Sequence, residues 1–476
     1  MDSYSCTVNG AQLPVSQTFP IHNPATGELL GHAPISSKAD VDEAVRIARA
    51  AQPAWAAKSD EERKQILMNV SEVLVNHTDY LAAWITKEQG KPFAGPGSMF
   101  EMQACVGWTQ VPASLDLPVE VVFEDESRRD ELHRKPLGVV GAIAPWNWPL
   151  MIAIWQIVPS LRAGNTVVIK PSEYTPIGTL EMVRLMNTVL PAGVLNTISG
   201  GGEVGAMLVE NEDVDKIMFT GSAKTARKII ESSKGNMARL TLECGGNDPA
   251  IILPGTEIDS KAGDLFWGAF INMGQTCACA KRLYVHESDA DRVIQQLSTL
   301  AQQMPMGNGQ DEGVVLGPVQ NEMQFNKVKE LVEDAKANGA QVHTGGAPMN
   351  GKGYFYPITL VSNIDNGSRL VDEEQFGPVL PIITYKSLDE AISKANDSKT
   401  GLGASVWGDD LTEAAKVAGK IQSGTVWINQ HGAIHPMVPF GGMKESGYGV
   451  EFGVEGLKAV TQPQVISIKK ANVSAS

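Results

Sequence analysis

The sequence predicts an α/β protein: a doubly wound parallel-sheet domain, a second α/β domain, and a small β element belonging to neither. Three observations carry this. From about residue 137, short apolar runs alternate with helix-length amphipathic runs, the pattern of right-handed βαβ units. A second block of the same texture runs from near Ile251 to about residue 445. Segments 114–135 and 463–470 fit neither block. At 476 residues the chain has room for two or three domains of roughly 100–200 residues each.

Taken in chain order, the first third reads as helical. Ser37 with Asp40, and Ser59 with Glu62, each have the spacing of a capping box that opens a helix. Val41, Ala44, Val45 and Ala48 then recur at helical spacing, as do Ile66, Leu67, Val70, Val73 and Leu74, and core packing accounts for both stripes. In the first alternating block, strands are expected at 139–143, 166–169, 194–199, 216–219 and 239–242. Helices are expected near 149–160, 177–189, 203–210 and 223–233. The second block includes strands at 282–285, 380–384 and 425–428 and a helix over roughly 322–338. Residues 464–468 alternate enough to form a lone strand, which needs a partner edge in its own chain or a neighbouring subunit. The boundaries expected are 1–113 with 136–246, then 247–445, with 114–135 and 461–476 apart. No repeat or low-complexity tract interrupts this plan.

Composition excludes several classes. Apolar residues make up 43% and charged residues 20%, enough apolar content for a substantial core. With 39 basic and 54 acidic residues the net charge is −15, which repels phosphate backbones and anionic lipid. Nucleic acid and membrane surfaces are therefore not expected partners. The five cysteines, Cys6, Cys105, Cys244, Cys277 and Cys279, form no disulfide framework, and no spacing completes a zinc site. The start of the chain, with Asp2, lacks the basic and apolar pattern of a signal peptide. Residues 136–161 carry no charge over a membrane-spanning length. That stretch nevertheless holds Pro136, Pro145, Pro149 and Pro159, with Asn147 and Gln156, and reads as a buried strand, a loop and a buried helix start. A soluble cytoplasmic protein is expected.

Four constellations bear chemistry. The first comprises three turns at the carboxyl edge of the first sheet. Gly200-Gly201-Gly202-Glu203-Val204-Gly205 matches G-x-G-x-x-G, although no strand ending in an acidic residue follows about 20 positions on. Phe219-Thr220-Gly221-Ser222 opens a helix whose free N–H groups would suit a pyrophosphate. Lys170 and Glu173 project from the end of a third strand. Each alone could be ordinary turn chemistry; together at one edge they favour a nucleotide. The second is Gly274-Gln275-Thr276-Cys277, where a thiol could be an attacking nucleophile or an inert core residue. The third is Glu243 before Cys244-Gly245-Gly246-Asn247, either a partly desolvated general base or an exposed loop carboxylate. The fourth is Asn147 within Pro145-Trp146-Asn147-Trp148-Pro149, a structural tether or an oxyanion donor.

Together these residues resemble the NAD(P)-dependent aldehyde dehydrogenase superfamily. The likeness runs from Asn23-Pro24-Ala25-Thr26-Gly27 to Pro439-Phe440-Gly441-Gly442 and includes Glu373-Glu374-Gln375-Phe376-Gly377-Pro378. It implies that the first domain binds NAD, the second is catalytic and the small β element serves oligomerisation. It implies further that Cys277 attacks an aldehyde, giving a thiohemiacetal and, after hydride loss, a thioester. Asn147 and the Cys277 N–H would stabilise the oxyanion, and Glu243 would activate the hydrolytic water. Cofactor contacts are implied for Trp146, Lys170, Glu173, Gly201, Gly205, Phe219, Gly221, Ser222, Glu374 and Phe376. A carboxylate at 173 accepts from ribose hydroxyls and repels a 2′-phosphate, so NAD is favoured, with NADP a lesser possibility because Lys170 offsets part of that repulsion. No metal is implied.

The chain departs from the family pattern in three places. Ala226 stands where a second glycine of the Gly221 turn is common, and Cys244 where a leucine is common. Cys279 makes a Cys-x-Cys loop, in which a disulfide with Cys277 would switch activity off but is difficult to close geometrically. By motif position the substrate tunnel includes Trp148, Ile152, Trp155, Thr276, Ala278 and Ile434. That aromatic, apolar set without an arginine favours a medium-chain aliphatic or arylalkyl aldehyde over a carboxylate-bearing semialdehyde. A homodimer or homotetramer is implied. Rival readings are a semialdehyde dehydrogenase (including a CoA-acylating one, which generally lacks the glutamate at 243), a non-catalytic nucleotide-binding protein, and a cofactor-free cysteine hydrolase, for which neither His431 nor His435 sits in a motif that pairs with the thiol and which leaves the nucleotide turns unexplained.

Overall fold

The computed structural model describes residues 3–14 and 16–470; Asp2 and the last six residues of the 461–476 segment lie outside the described residues. Because a strand buried on both faces must be apolar throughout, the uniformly buried runs Val139–Ile143 and Thr166–Lys170 form the centre of the first sheet. The neighbours, in order, are Arg239–Cys244, Lys216–Gly221, Val139–Ile143, Thr166–Lys170 and Leu195–Thr197, all parallel. The first strand in sequence thus lies beside the fourth. Connections leave these two in opposite directions, opening a crevice at their carboxyl ends where open α/β sheets bind ligands. The uncharged stretch is that buried strand followed by the helix Pro149–Arg162, every residue of which is buried. No helix among the described residues is long and apolar enough to cross a membrane.

The second sheet has seven strands, with Asp248–Ile252 between Ala280–His286 and Gly403–Trp407, and Val379–Tyr385, Thr359–Ser362 and Gln341–Thr344 completing one side. Thr425–Ile428 closes the other side. Only Gln341–Thr344 runs antiparallel to its neighbour. The strands expected at 282–285, 380–384 and 425–428 and the helix near 322–338 fall within these elements. Both capping boxes form, opening Lys38–Ala56 and Asp60–Asn76, and Val41, Ala44, Val45, Ala48, Leu67, Val70 and Leu74 are buried.

Two expectations need correcting. The first third is not helical from its start, because residues before the first helix form hairpins, notably Thr18–His22 with Leu29–Pro34. Asn23-Pro24-Ala25-Thr26-Gly27 is their turn: the Asn23 Oδ1 accepts from the Ala25 N–H, and Gly27 takes φ +73°. Such short strands carry too little alternation to be seen against the strong helical stripes that follow. Secondly, residues 446–460 lie beyond every assigned boundary, yet Gly447–Tyr448 adds an antiparallel edge to the first sheet, pairing Gly447 with Glu243. A two-residue strand led by a glycine at φ +112° leaves no periodic signal.

The lone C-terminal strand finds its partner in its own chain. Thr461–Lys469 pairs antiparallel with Arg128–Pro136, which pairs in turn with Glu120–Glu124. Val121, Val122, Phe123, Val465, Ile466 and Ile468 on this small sheet are exposed.

Candidate active site

The crevice at the carboxyl ends of the first sheet is a cavity of about 1010 Å³. Its walls include Trp146, Asn147, Lys170, Glu173, Gly205, Phe219, Gly221, Ser222, Cys277, Glu374 and Phe376, so residues more than 200 positions apart converge on one space. The walls suit a dinucleotide. Gly221 has no room for a Cβ because the Phe219 ring folds back against it, and Gly245 has none because of the Glu374 carboxylate. Ser222 caps the helix Ala223–Ser232, its hydroxyl accepting from the Thr225 N–H at 3.2 Å. That leaves the first N–H groups of the helix for an anion. The buried Lys170 ammonium donates to the carbonyls of Pro171 and Gly200, both at 2.8 Å, and lies 3.9 Å from the half-exposed Glu173.

Gly201 is not among these walls; Gly202 and Glu203 take that place. Gly201 is instead the residue before the helix Gly202–Val209. Ala226 is buried beside Ile229 in the helix that follows Gly221, so a methyl group fits where a glycine is common. Cys244 also lines the cavity.

The catalytic end is built from two loops stitched together. The Asn147 Nδ2 donates to the Gln275 carbonyl at 3.0 Å, and the Trp148 Nε1 donates to the Thr276 Oγ1 at 3.0 Å. Behind them the Asn147 carbonyl accepts from the Asn272 Nδ2 at 2.9 Å and the Lys91 Nζ at 2.8 Å. Lys91 forms a fully buried ion pair with Glu101 at 2.6 Å, and the second Glu101 oxygen accepts from the N–H groups of Leu150 and Met151. One buried pair therefore fixes both ends of the Asn147-Trp148-Pro149 segment. The approach to Cys277 is strained: Asn272, Met273 and Gly274 are all left-handed, at φ +50°, +59° and +69°. Non-glycine residues held so cost about 1–3 kcal/mol each and persist where the surroundings over-determine them. Here Gly274 packs against the Gly377 carbonyl too closely for any side chain, which locks the cysteine loop to the Glu374–Phe376 loop.

Burial pushes the Cys277 thiol up to about 12, with Lys281 pulling it down and Glu243 and Asp248 pushing it further up. Cys279 is buried, its Sγ directed at the carbonyls of Thr276 at 3.3 Å and Gly274 at 3.5 Å. Glu243 is buried with both carboxylate oxygens unpartnered. Burial raises its proton affinity well above the ordinary carboxylate value, and Glu451 adds to this. Sequence reasoning passes over Glu451, which arrives through the backbone bridge between Phe440 and Glu451 and is itself pushed up to about 7 by burial. It also passes over Lys281, which looks like any lysine opening a strand. Its Nζ donates to the Thr276 carbonyl at 2.6 Å and the Cys277 carbonyl at 3.1 Å, and lies 3.2 Å from the Glu374 carboxylate. No periodicity signals a residue whose partners come from its own loop and from a segment more than 90 positions away.

Of the expected tunnel residues, Thr276 and Ala278 flank Cys277, Trp148 bonds to Thr276, Ile434 packs against the same core as Cys277, and Trp155 meets Phe452 edge to face and Trp108 at a tilt. Ile152 has no exposed surface; one helical turn beyond Trp148, it packs into the core and does not face an open channel. The histidines are committed elsewhere. His431 contacts the Ser405 hydroxyl at 2.8 Å and Asp248 at 3.4 Å, and His435 accepts from the Met437 N–H. None of these contacts is with Cys277, the partner a cysteine hydrolase would need.

A parallel sheet with a dinucleotide crevice at its switch point, faced by a cysteine and an asparagine from separate loops, defines a nucleotide-dependent oxidoreductase. The Aldehyde dehydrogenase family profile matches residues 13–466. Human aldehyde dehydrogenase 1A1 is 35% identical over 463 residues, covering 95% of this chain and 91% of that protein. The NAD+ complex of an aldehyde dehydrogenase from Bacillus cereus superposes with a TM-score of 0.96 at 31% identity, covering 99% and 97% of the two chains. Lactaldehyde dehydrogenase from Escherichia coli superposes with a TM-score of 0.95 at 30% identity, covering 98% and 99%. The chain belongs to the aldehyde dehydrogenase family, and is an NAD-dependent enzyme that oxidises aldehydes through a catalytic cysteine.

Proposed function

We propose that Cys277 is that cysteine and that the enzyme converts an aldehyde to the carboxylic acid, with a medium-chain aliphatic or arylalkyl aldehyde as substrate. The observation that carries the reading is the convergence of Cys277 and Asn147 on one wall of the dinucleotide cavity, with Glu243 buried in the strand that ends beside it. The Cys277 thiolate attacks the carbonyl carbon, and the carbonyl oxygen becomes an oxyanion. One Asn147 amide hydrogen is held on Gln275, so the other is turned to that oxygen together with the Cys277 N–H. A preorganised donor of this kind contributes about 3–4 kcal/mol to the transition state. When bound, NAD supplies the hydride acceptor. Glu243, as the carboxylate, takes a proton from the water that attacks the thioester, and the acid leaves Cys277 free.

Trp146, Lys170, Glu173, Gly205, Phe219, Gly221, Ser222, Glu374 and Phe376 would hold the dinucleotide. The Trp146 and Phe376 rings, 5.3 Å apart edge to face, would flank its reactive end. Trp148, Trp155 and Ile434 give the substrate side its apolar, uncharged character. The domain division at 1–113 with 136–246, 247–445, and 114–135 with 461–476 belongs to the same reading, with Gly447–Tyr448 added to the first domain. A catalytic thiol two residues from Cys279 suits a compartment that keeps thiols reduced, such as the cytoplasm.

An aldehyde panel followed by reduced-nicotinamide absorbance, with NAD and NADP in parallel, tests this reading. Hexanal-length and phenylacetaldehyde-like substrates are expected to exceed short carboxylated semialdehydes in kcat/KM, and Glu173→Ser is expected to raise NADP use. Preference for a carboxylated aldehyde, or unchanged cofactor selectivity in the variant, contradicts it. The exposed apolar side chains of the three-stranded sheet fit a homodimer or homotetramer interface. Light scattering is expected to give two or four times the 51.0 kDa chain mass; a monomer contradicts it.

A further inference from the structure

The mechanism proposed above leaves Lys281, a buried charge beside the nucleophile loop, without a task. Lys281 is among the most deeply buried cations of the molecule. Its ammonium donates to the Thr276 and Cys277 carbonyls and is ion-paired with the Glu374 carboxylate at 3.2 Å, and its Nζ lies 5.3 Å from the centre of the Phe376 ring. A lysine whose partners were only structural could sit anywhere along the strand Ala280–His286. This one is turned back onto the loop that carries the nucleophile, and it joins that loop to the arm carrying Glu374 and Phe376. The Lys281 carbonyl is itself held by the Gln375 Nε2 at 2.9 Å, so the two segments are tied in both directions.

We propose that Lys281 is a positioning residue that acts electrostatically: a fixed cation that favours the Cys277 thiolate before any dinucleotide arrives and holds Glu374 against the cysteine loop. The proposal rests on the reading of Cys277 as the nucleophile. Ionisation here means that the Cys277 S–H bond breaks and its proton passes to solvent. A permanent charge hydrogen-bonded to that residue's own carbonyl, in surroundings of low dielectric, lowers the cost of the sulfur anion. The groups facing the pair are Glu243 from the strand Arg239–Cys244, Asp248 from the next strand, Cys279 on the same loop, and Glu374. Of these, Glu243 and Asp248 disfavour a negative charge on the Cys277 sulfur, whereas Lys281 and the Ala278 N–H favour it. Burial weakens the hold of Lys281 on its proton, but Cys279, Glu374, Asp248 and Cys277 outweigh that and keep it charged. Without Lys281 the thiol keeps the Ala278 N–H but loses the larger of these two contributions that favour its anion.

The test uses the full-length enzyme without cofactor. Iodoacetamide alkylates the thiolate, forming the S–C bond as iodide leaves, and mass spectrometry of the Cys277 peptide gives the rate as a function of pH. In Lys281→Met the profile is expected to move to higher pH, with alkylation at pH 8 slowed by about tenfold for each unit of displacement. Lys281→Arg, which keeps the charge, is expected to stay within about threefold of the parent. Glu374→Gln removes an anion competing for the same ammonium and is expected to move the profile the opposite way. A loss of packing would not produce opposite signs from the two partners. An unmoved profile in Lys281→Met overturns the proposal; should that variant not fold, an unmoved or upward-shifted profile in Glu374→Gln does so. Alkylation of Cys277 that leaves aldehyde oxidation intact overturns the nucleophile reading instead.

Discussion

Cys277→Ala is expected to reduce aldehyde-dependent NADH formation by on the order of 10⁴-fold or more, the scale of loss when the nucleophile of a covalent mechanism is removed. NAD affinity, measured by fluorescence titration, is expected to stay within about threefold, because the cavity wall loses one sulfur atom and no cofactor contact. Neither Cys279 nor His431 nor His435 is placed to take over. Cys279 is two residues away, but its Sγ faces the Gly274 and Thr276 carbonyls inside the loop, and the histidines are held by Ser405, Asp248 and Met437. Stopped-flow absorbance settles the matter: retention of oxidation at the parent rate would place the chemistry elsewhere.

Glu243→Gln is expected to give a burst of about one NADH per active subunit and then stall, because hydride transfer precedes the step that needs the glutamate. An acyl adduct on Cys277 should accumulate and be visible by intact mass. The pH dependence follows from the environment of the carboxyl. Only the carboxylate can accept the proton of water, while burial and Glu451 favour the neutral acid. In the parent enzyme, thioester hydrolysis is therefore expected to rise with pH through a range above the ordinary carboxylate value. In Glu243→Gln that rise should vanish, leaving the slow attack of water alone. Steady turnover without a burst would show that Glu243 acts before the hydride leaves, or not at all.

Much of this architecture was legible in the chain because it rests on local rules. The strands Val139–Ile143 and Thr166–Lys170 announce themselves as apolar runs bounded by turn residues, and the helices at 38 and 60 by their capping boxes. Cys277, Glu243 and Asn147 stood out as candidates through their motifs, and the roles proposed for them came with the family resemblance. Residues whose role is defined by a distant neighbour were not legible. Nothing beside Lys281 in sequence marks it, because its partners lie at 276, 277 and 374. Glu451 is silent for the same reason, and so is Lys91, whose buried pairing with Glu101 braces Asn147 from 56 positions away. Ile152, placed in the tunnel by motif position, has no exposed surface, and burial of that kind is not recorded in a motif.

By itself the sequence determined the α/β class and the order of the strands along the chain, and it offered candidates for the reactive side chains. The first two follow from periodicity and turn chemistry, and the roles proposed for the candidates follow from the family resemblance. Tertiary structure alone decided which strand lies beside which, so that the crevice opens between Val139–Ile143 and Lys216–Gly221, and which charges surround the thiol. Coulombic and hydrogen-bond energies depend on distance through space and on burial, and neither quantity is recorded in separation along the chain.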